Sequence, residues 1–230
     1  MNVAIIVAAG RSSRMKLGQS KQYLPLLGKP VLAHTLFAFE KCLVIDEVIL
    51  VVNQDDMEFC RNEVVGKYNF RKVSKIVKGG KERQDSVYNG LCLISPLAET
   101  VLIHDGARPL VTSKIIDEAV LFLKDFDGVV VGIPVKDTIK VVEDSIIKGT
   151  SSREKLWMAQ TPQVFAPSIL HKAYEKAKSD NFYGTDDSVL LERMGYKVKA
   201  IMGSCENIKI TTQDDLALAG EILKKRGFIE

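Results

Sequence analysis

Short runs of β-branched and other apolar residues alternate along this chain with longer stretches whose apolar positions recur at helical spacing. Runs at 3–8, 47–52, 73–77, 100–104 and 128–133 predict strands, and the stretches at 30–39, 55–68, 83–94 and 113–122 predict helices between them. Strands that are apolar throughout, rather than at alternate positions, belong to a parallel sheet covered on both faces. The pattern therefore predicts an α/β fold: a mostly parallel twisted sheet with helices on both faces and ligands beyond the carboxyl ends of the strands. The rhythm changes after Pro134, where 138–142 and 145–147 alternate around Glu143 and Asp144. This predicts a protruding β arm at about 137–157. Its apolar positions are too many for a lone solvated hairpin and too few for a core, so a second copy's arm is the expected cover and a homodimer the expected assembly. Gln160 begins a proline-punctuated return, followed by helices at 167–177 and 186–194, a strand at 197–202 and a last helix at 213–225. With no linker or repeat, residues 1–230 read as one domain.

Composition narrows the function more than the fold. The 230 residues carry a net charge of +3, with 46% hydrophobic and 27% charged residues, which excludes a disordered chain and gives little long-range attraction for nucleic acid or anionic membrane. Cys42, Cys60, Cys92 and Cys205 form no metal-binding spacing and sit beside apolar neighbours, so they are expected as buried free thiols. Without a basic leader or an apolar run of roughly 20 residues, a cytoplasmic location is expected.

Three junctions between a strand and the following helix carry the candidate chemistry. Ala8-Ala9-Gly10-Arg11-Ser12-Ser13-Arg14 is a loop of small residues suited to wrapping phosphates with backbone N–H groups, and Lys21 brings a further cation. It matches neither the P-loop nor the dinucleotide fingerprint. Gly79-Gly80 permits close backbone approach to a flat ligand, with Arg83 and Ser86 as donors at the next helix start. In His104-Asp105-Gly106-Ala107-Arg108-Pro109, Asp105 suits either a divalent cation or a structural salt bridge to Arg108. His104 reads as a satisfied strand-end histidine rather than a general base. Lys209, inside Asn207-Ile208-Lys209-Ile210, reads as an edge-strand lysine unless an anion claims it. Asp186 and Asp187 read as charges at a helix N-terminus, and Trp157 as packing. The lack of bases suits a nucleophile that is already ionised, such as a phosphate monoester.

Taken in order, Ala8-Ala9-Gly10 with Arg14-Met15, Lys21-Gln22-Tyr23-Leu24, His104 to Pro109, Pro134-Val135-Lys136-Asp137-Thr138, Leu156-Trp157 with Gln160-Thr161-Pro162-Gln163, and Asn207 to Thr211 resemble the 2-C-methyl-D-erythritol 4-phosphate cytidylyltransferase family nearly end to end. The resemblance implies a nucleotidyltransferase fold, an arm-joined homodimer, CTP and a sugar-alcohol phosphate as substrates, and Mg²⁺ as cofactor. It implies that Arg14 and Lys21 stabilise the charge that develops on the α-phosphate and the departing pyrophosphate. Ala8, Ala9, Gly10, Gly80, Arg83 and Ser86 would receive cytidine and its triphosphate. Asp105, which would also hold the metal, and Arg108, Thr138, Arg153, Thr185 and Lys209 would hold the sugar phosphate, with Thr138 and Arg153 donated by the partner's arm. Ser12-Ser13 departs from the family's glycine in the first loop. A ribitol 5-phosphate cytidylyltransferase shares the machinery, and a nucleotide-binding regulator without turnover is the alternative from another class.

Overall fold

The structure is a computed structural model that describes residues 1–10 and 20–228. Along the chain run β1 (Asn2–Ala8), a short hairpin of β2 (Pro25–Leu26) and β3 (Lys29–Pro30), α1 (Val31–Lys41), β4 (Glu47–Val52), α2 (Met57–Phe59, continued by π-helical turns over Cys60–Gly66), β5 (Val73–Lys78), α3 (Arg83–Leu91), β6 (Thr100–Asp105), α4 (Ser113–Phe122) and β7 (Gly128–Pro134). The arm strands β8 (Lys140–Glu143) and β9 (Ile146–Thr150) come next. They are followed by β10 (Trp157–Phe165), α5 (Pro167–Ser179), α6 (Ser188–Glu192), β11 (Val198–Met202) and α7 (Gln213–Lys225).

Seven strands form one sheet in the order β11-β7-β10-β6-β1-β4-β5. All its neighbours pair in parallel except β10, which runs antiparallel to both β6 and β7. The continuous apolar runs are explained by burial on two faces. Every residue of β4 and β6 is buried. On one side Leu32, Leu36 and Phe39 of α1 and Ile115, Ile116 and Ala119 of α4 close the core. On the other, Val87 and Leu91 of α3 pack with Leu170, Tyr174, Leu190 and Leu191 of α5 and α6. Each fully buried side chain of this size contributes roughly 1.5–3 kcal/mol, so the strand ends are held as a rigid platform. Helix starts are fixed locally: Thr112 caps α4 through Ile115 N, and Thr212 and Asp215 form a capping box on α7.

Several expectations are corrected. The return after Gln160 belongs to β10, which begins at Trp157 and completes the middle of the sheet. Pro162 cannot donate to a ladder, and the register shifts between Ala159 and Gln163, so the strand is two paired pieces around an irregular step. Lys209 lies on a loop rather than an edge strand. Cys42 and Cys60 are buried, but Cys92 and Cys205 are exposed because they stand past α3 and on the loop after β11. Trp157 is 41% exposed. The arm is a β8–β9 hairpin whose turn residues Asp144 and Ser145 both have positive φ, the geometry that matches the twist of two-residue hairpins.

Candidate active site

The carboxyl ends of β1, β4, β5 and β6 open into one cleft of about 650 Å³. Parallel register brings them level: Val7 lies beside Asp105, and Ala8 beside Val52. Ala8, Ala9 and Gly10 leave β1, Asn53 and Gln54 follow β4, Gly79 and Gly80 follow β5, and Asp105 ends β6, all lining the cleft. Small residues are required for this closeness. A Cβ at Gly79 would collide with the Ala9 methyl, and one at Gly106 would come within 2.9 Å of the Ala8 methyl. Gly80 N donates to Ser86 Oγ at 3.0 Å, and Glu82 with Asp85 forms the capping box that starts α3 at the cleft wall. Gln22, buried after Lys21, donates to the Ala8 carbonyl at 2.7 Å and so ties the returning loop to the end of β1.

Lys21, Lys81, Arg83 and Lys209 line the cleft against the two acids Glu82 and Asp105, so the described wall favours an anionic ligand. Asp105 is the hub. Its Oδ1 lies 3.3 Å from Arg83 Nε, and its Oδ2 lies 2.9 Å from Lys209 Nζ and 3.4 Å from Arg108 Nε. Burial alone would raise this carboxyl's pKa, but Arg83, Lys209 and Arg108 outweigh it and hold the group well below the usual carboxylate range. Arg83 reaches onward to Asp187 at 2.8 Å, and Asp187 also accepts from the Tyr174 hydroxyl at 2.5 Å. Although burial would lower the Arg83 pKa, Asp187 and Asp105 raise it, so the guanidinium is fixed as a cation. Arg108 donates to the Asn207 carbonyl at 2.8 Å, which draws the Lys209 loop against the β6 turn.

The sites expected from the sequence divide into three sets. Ala8, Ala9, Gly10, Lys21, Gly80, Arg83, Ser86, Asp105 and Lys209 meet at the cleft, and Arg108 pairs with Asp105 behind it. Thr185 instead lines a separate cavity with Asp186, Ser188 and Glu192. Thr138 and Arg153 belong to the arm, where Arg153 donates to the Lys136 carbonyl. Arg14 and Ser12 lie outside the described residues. Of the two readings of Asp105, the salt bridge to Arg108 is present, and it is itself part of the cleft's charge cage. Asn53 and Gln54 were not singled out, although the rule that ligands bind beyond strand ends points to them. Asp187 was read only as a helix-start charge; its partner Arg83 is far away in sequence.

Asp105 is the one carboxylate at this strand end, and no group of three or more His, Cys, Asp or Glu side chains suited to a metal exists among the described residues. Such a donor set does not fit zinc. It fits magnesium, which keeps water and phosphate oxygens around one or two carboxylates.

The sequence and the fold both have known relatives. A family model described as 2-C-methyl-D-erythritol 4-phosphate cytidylyltransferase matches residues 2–225. A protein of that description from Caldanaerobacter subterraneus subsp. tengcongensis is 51% identical, over 98% of this chain and 100% of its own. One from Clostridioides difficile is 48% identical, over 97% and 94%. Among solved structures, 4-diphosphocytidyl-2C-methyl-D-erythritol synthase from Anaerococcus prevotii superposes with a TM-score of 0.85 at 34% identity, covering 97% of this chain and 96% of the other. The Francisella tularensis cytidylyltransferase gives 0.81 at 32%, covering 96% and 98%.

Proposed function

The chain belongs to the 2-C-methyl-D-erythritol 4-phosphate cytidylyltransferase family, and from that premise we propose how its cleft joins CTP to 2-C-methyl-D-erythritol 4-phosphate in isoprenoid precursor synthesis. The observation that carries the proposal is the cleft itself, with small-residue strand exits beside a cationic wall and no imidazole among its described lining residues. The substrate's phosphate, with a second pKa of about 6, is ionised at neutral pH and needs no base. One of its oxygens bonds to the α-phosphorus of CTP while the bond from that phosphorus to the pyrophosphate oxygen breaks, and the electron pair leaves with pyrophosphate.

The strand exits at Ala8, Ala9, Gly10 and Gly80, with Ser86 and Arg83, receive the cytidine and its phosphates. Lys21, together with Arg14, neutralises the charge that grows on the α-phosphate and leaving group, a contact that strengthens as the reaction proceeds. Lys209 and Arg108, oriented by Asp105, hold the sugar phosphate in line. Thr138 and Arg153 complete that site from the partner's arm. A divalent cation, held by Asp105 and phosphate oxygens, would supply further neutralisation of the triphosphate.

The homodimer is supported by the arm's exposed apolar residues Val141, Val142, Ile146 and Ile147. The cytoplasm suits its four free thiols.

The test measures pyrophosphate release from CTP and Mg²⁺ with methylerythritol 4-phosphate and ribitol 5-phosphate offered separately, and with ATP, GTP and UTP as controls. Release with the first acceptor and CTP is expected. Preference for ribitol phosphate would overturn the acceptor and keep the nucleotide half, and CTP binding without release would favour a regulator.

A further inference from the structure

His104 is fully buried directly behind the anion hub and lies outside the cleft lining. Its ring packs 5.0 Å from Phe39, and both ring nitrogens have partners. Nε2 lies 3.2 Å from the Arg108 carbonyl, and Nδ1 lies 3.0 Å from Thr161 Oγ1. The same hydroxyl accepts from Asp105 N–H at 3.0 Å. These contacts determine the ring's proton. A carbonyl oxygen only accepts, so Nε2 must carry hydrogen. In a ring with its one proton on Nε2, Nδ1 is bare and accepts from the Thr161 hydroxyl, whose oxygen in turn accepts from Asp105 N–H. The Arg108 carbonyl thus selects one neutral tautomer, and the Thr161 hydroxyl is able to satisfy it.

We propose that His104 is a positioning residue: with its proton on Nε2, it ties the Arg108 carbonyl to the end of β6 and fixes the Asp105–Arg108 turn that presents the cleft's charge cage. Thr161 is the second half of the clamp, because its hydroxyl joins the Asp105 amide to Nδ1. Asn207 holds Thr161 in turn, donating to its carbonyl at 3.0 Å, while Arg108 donates to the Asn207 carbonyl. The loop between them closes through hydrogen bonds from β6 to β10, to the Lys209 loop and back to Arg108. Loss of the ring should therefore let Arg108 drift from the sugar phosphate while the strand exits that meet CTP stay in place. This kinetic consequence rests on the proposed reading of the cleft, whereas the tautomer does not.

The experiment has two arms. Nitrogen-15 labelling of histidine in the full-length wild-type protein, read by two-bond proton–nitrogen correlation at neutral pH, reports the tautomer, and loss of signals in His104→Asn assigns them. A protonated Nε2 with a bare Nδ1 is expected; a proton on Nδ1 overturns the proposal. In the second arm, His104→Gln puts an amide nitrogen near the Nε2 position, whereas the shorter His104→Asn reaches only the Nδ1 position. The expected result is a KM for the sugar phosphate within about threefold of wild type in the Gln variant and raised about 10- to 100-fold in the Asn variant, the size of one lost buried hydrogen bond, with CTP affinity within about twofold in both. Equal losses in the two variants, or a parallel loss of CTP affinity, would overturn the positioning role. Absence of pyrophosphate release from the wild type would count against the functional reading and leave the tautomer for the spectrum to decide.

Discussion

At the cleft, charged side chains are drawn together and paired within one chain; along the arm, apolar side chains stand in water. Asp105 has three cations within 3.4 Å and is itself buried, whereas Ile146 and Ile147 are each 60% exposed. The difference separates two sources of order. The cleft draws its geometry from seven strands and their covering helices, so its charge cage is set when the chain folds. The arm has a ladder and a turn and no core, so what it offers a ligand depends on what it lies against. One region has its charges arranged in advance, and the other, on the proposed reading, supplies residues by association.

The sharpest way to break this comparison is at Lys21. Lys21→Ala is expected to lower kcat about 10²- to 10³-fold, the loss typical of one transition-state donor, while CTP affinity changes little. Steady-state kinetics beside a direct CTP titration check this, and equal losses would place Lys21 in ground-state binding. Next, Asp187→Ala leaves Arg83 with one carboxylate in a buried setting and should cost about 3 kcal/mol, read as a lower urea midpoint. An unchanged midpoint would mean that the cleft is not held from within. On the arm, Val142→Asp with Ile147→Asp should weaken the proposed dimer about a hundredfold by sedimentation, since two apolar side chains would lose their burial, and leave monomer stability within about 0.5 kcal/mol. Coupled loss of fold and assembly would erase the distinction between the regions. The smallest effect is expected for Arg153→Ala, with a rise of about tenfold in the sugar-phosphate KM, the value of one charge-assisted contact. Mixed dimers that also carry Lys21→Ala on the other subunit should regain activity at one site, and an absence of rescue would argue against a shared site.

What the sequence revealed and what it hid follow the same division. The parallel strands were legible because burial on both faces writes continuous apolar runs, as in Glu47–Val52. The strand exits were legible because close approach demands small residues, as at Ala8, Ala9, Gly79 and Gly80. β10 was obscured because Pro162 and a register step interrupt it. Asp187 and Thr161 were misjudged or passed over for another reason. Their partners, Arg83 and His104, stand 104 and 57 residues away, and nothing in local spacing reports such a meeting. The exposed Cys92 shows the converse, since apolar neighbours on either side did not place it inside.

The antiparallel course of β10 also bears on how the arm's length can vary. Trp157 pairs with Pro134, and Val135 N donates to the Leu156 carbonyl, so β7, the arm and β10 form one long hairpin with β8 and β9 at its tip. Residues added or removed at the tip are absorbed outside the sheet and leave strand order intact. A single residue inserted between Trp157 and Thr161 would instead slide the threonine hydroxyl past His104. The same connection is thus permissive at one end and intolerant at the other, and the boundary between the two regimes lies at Trp157.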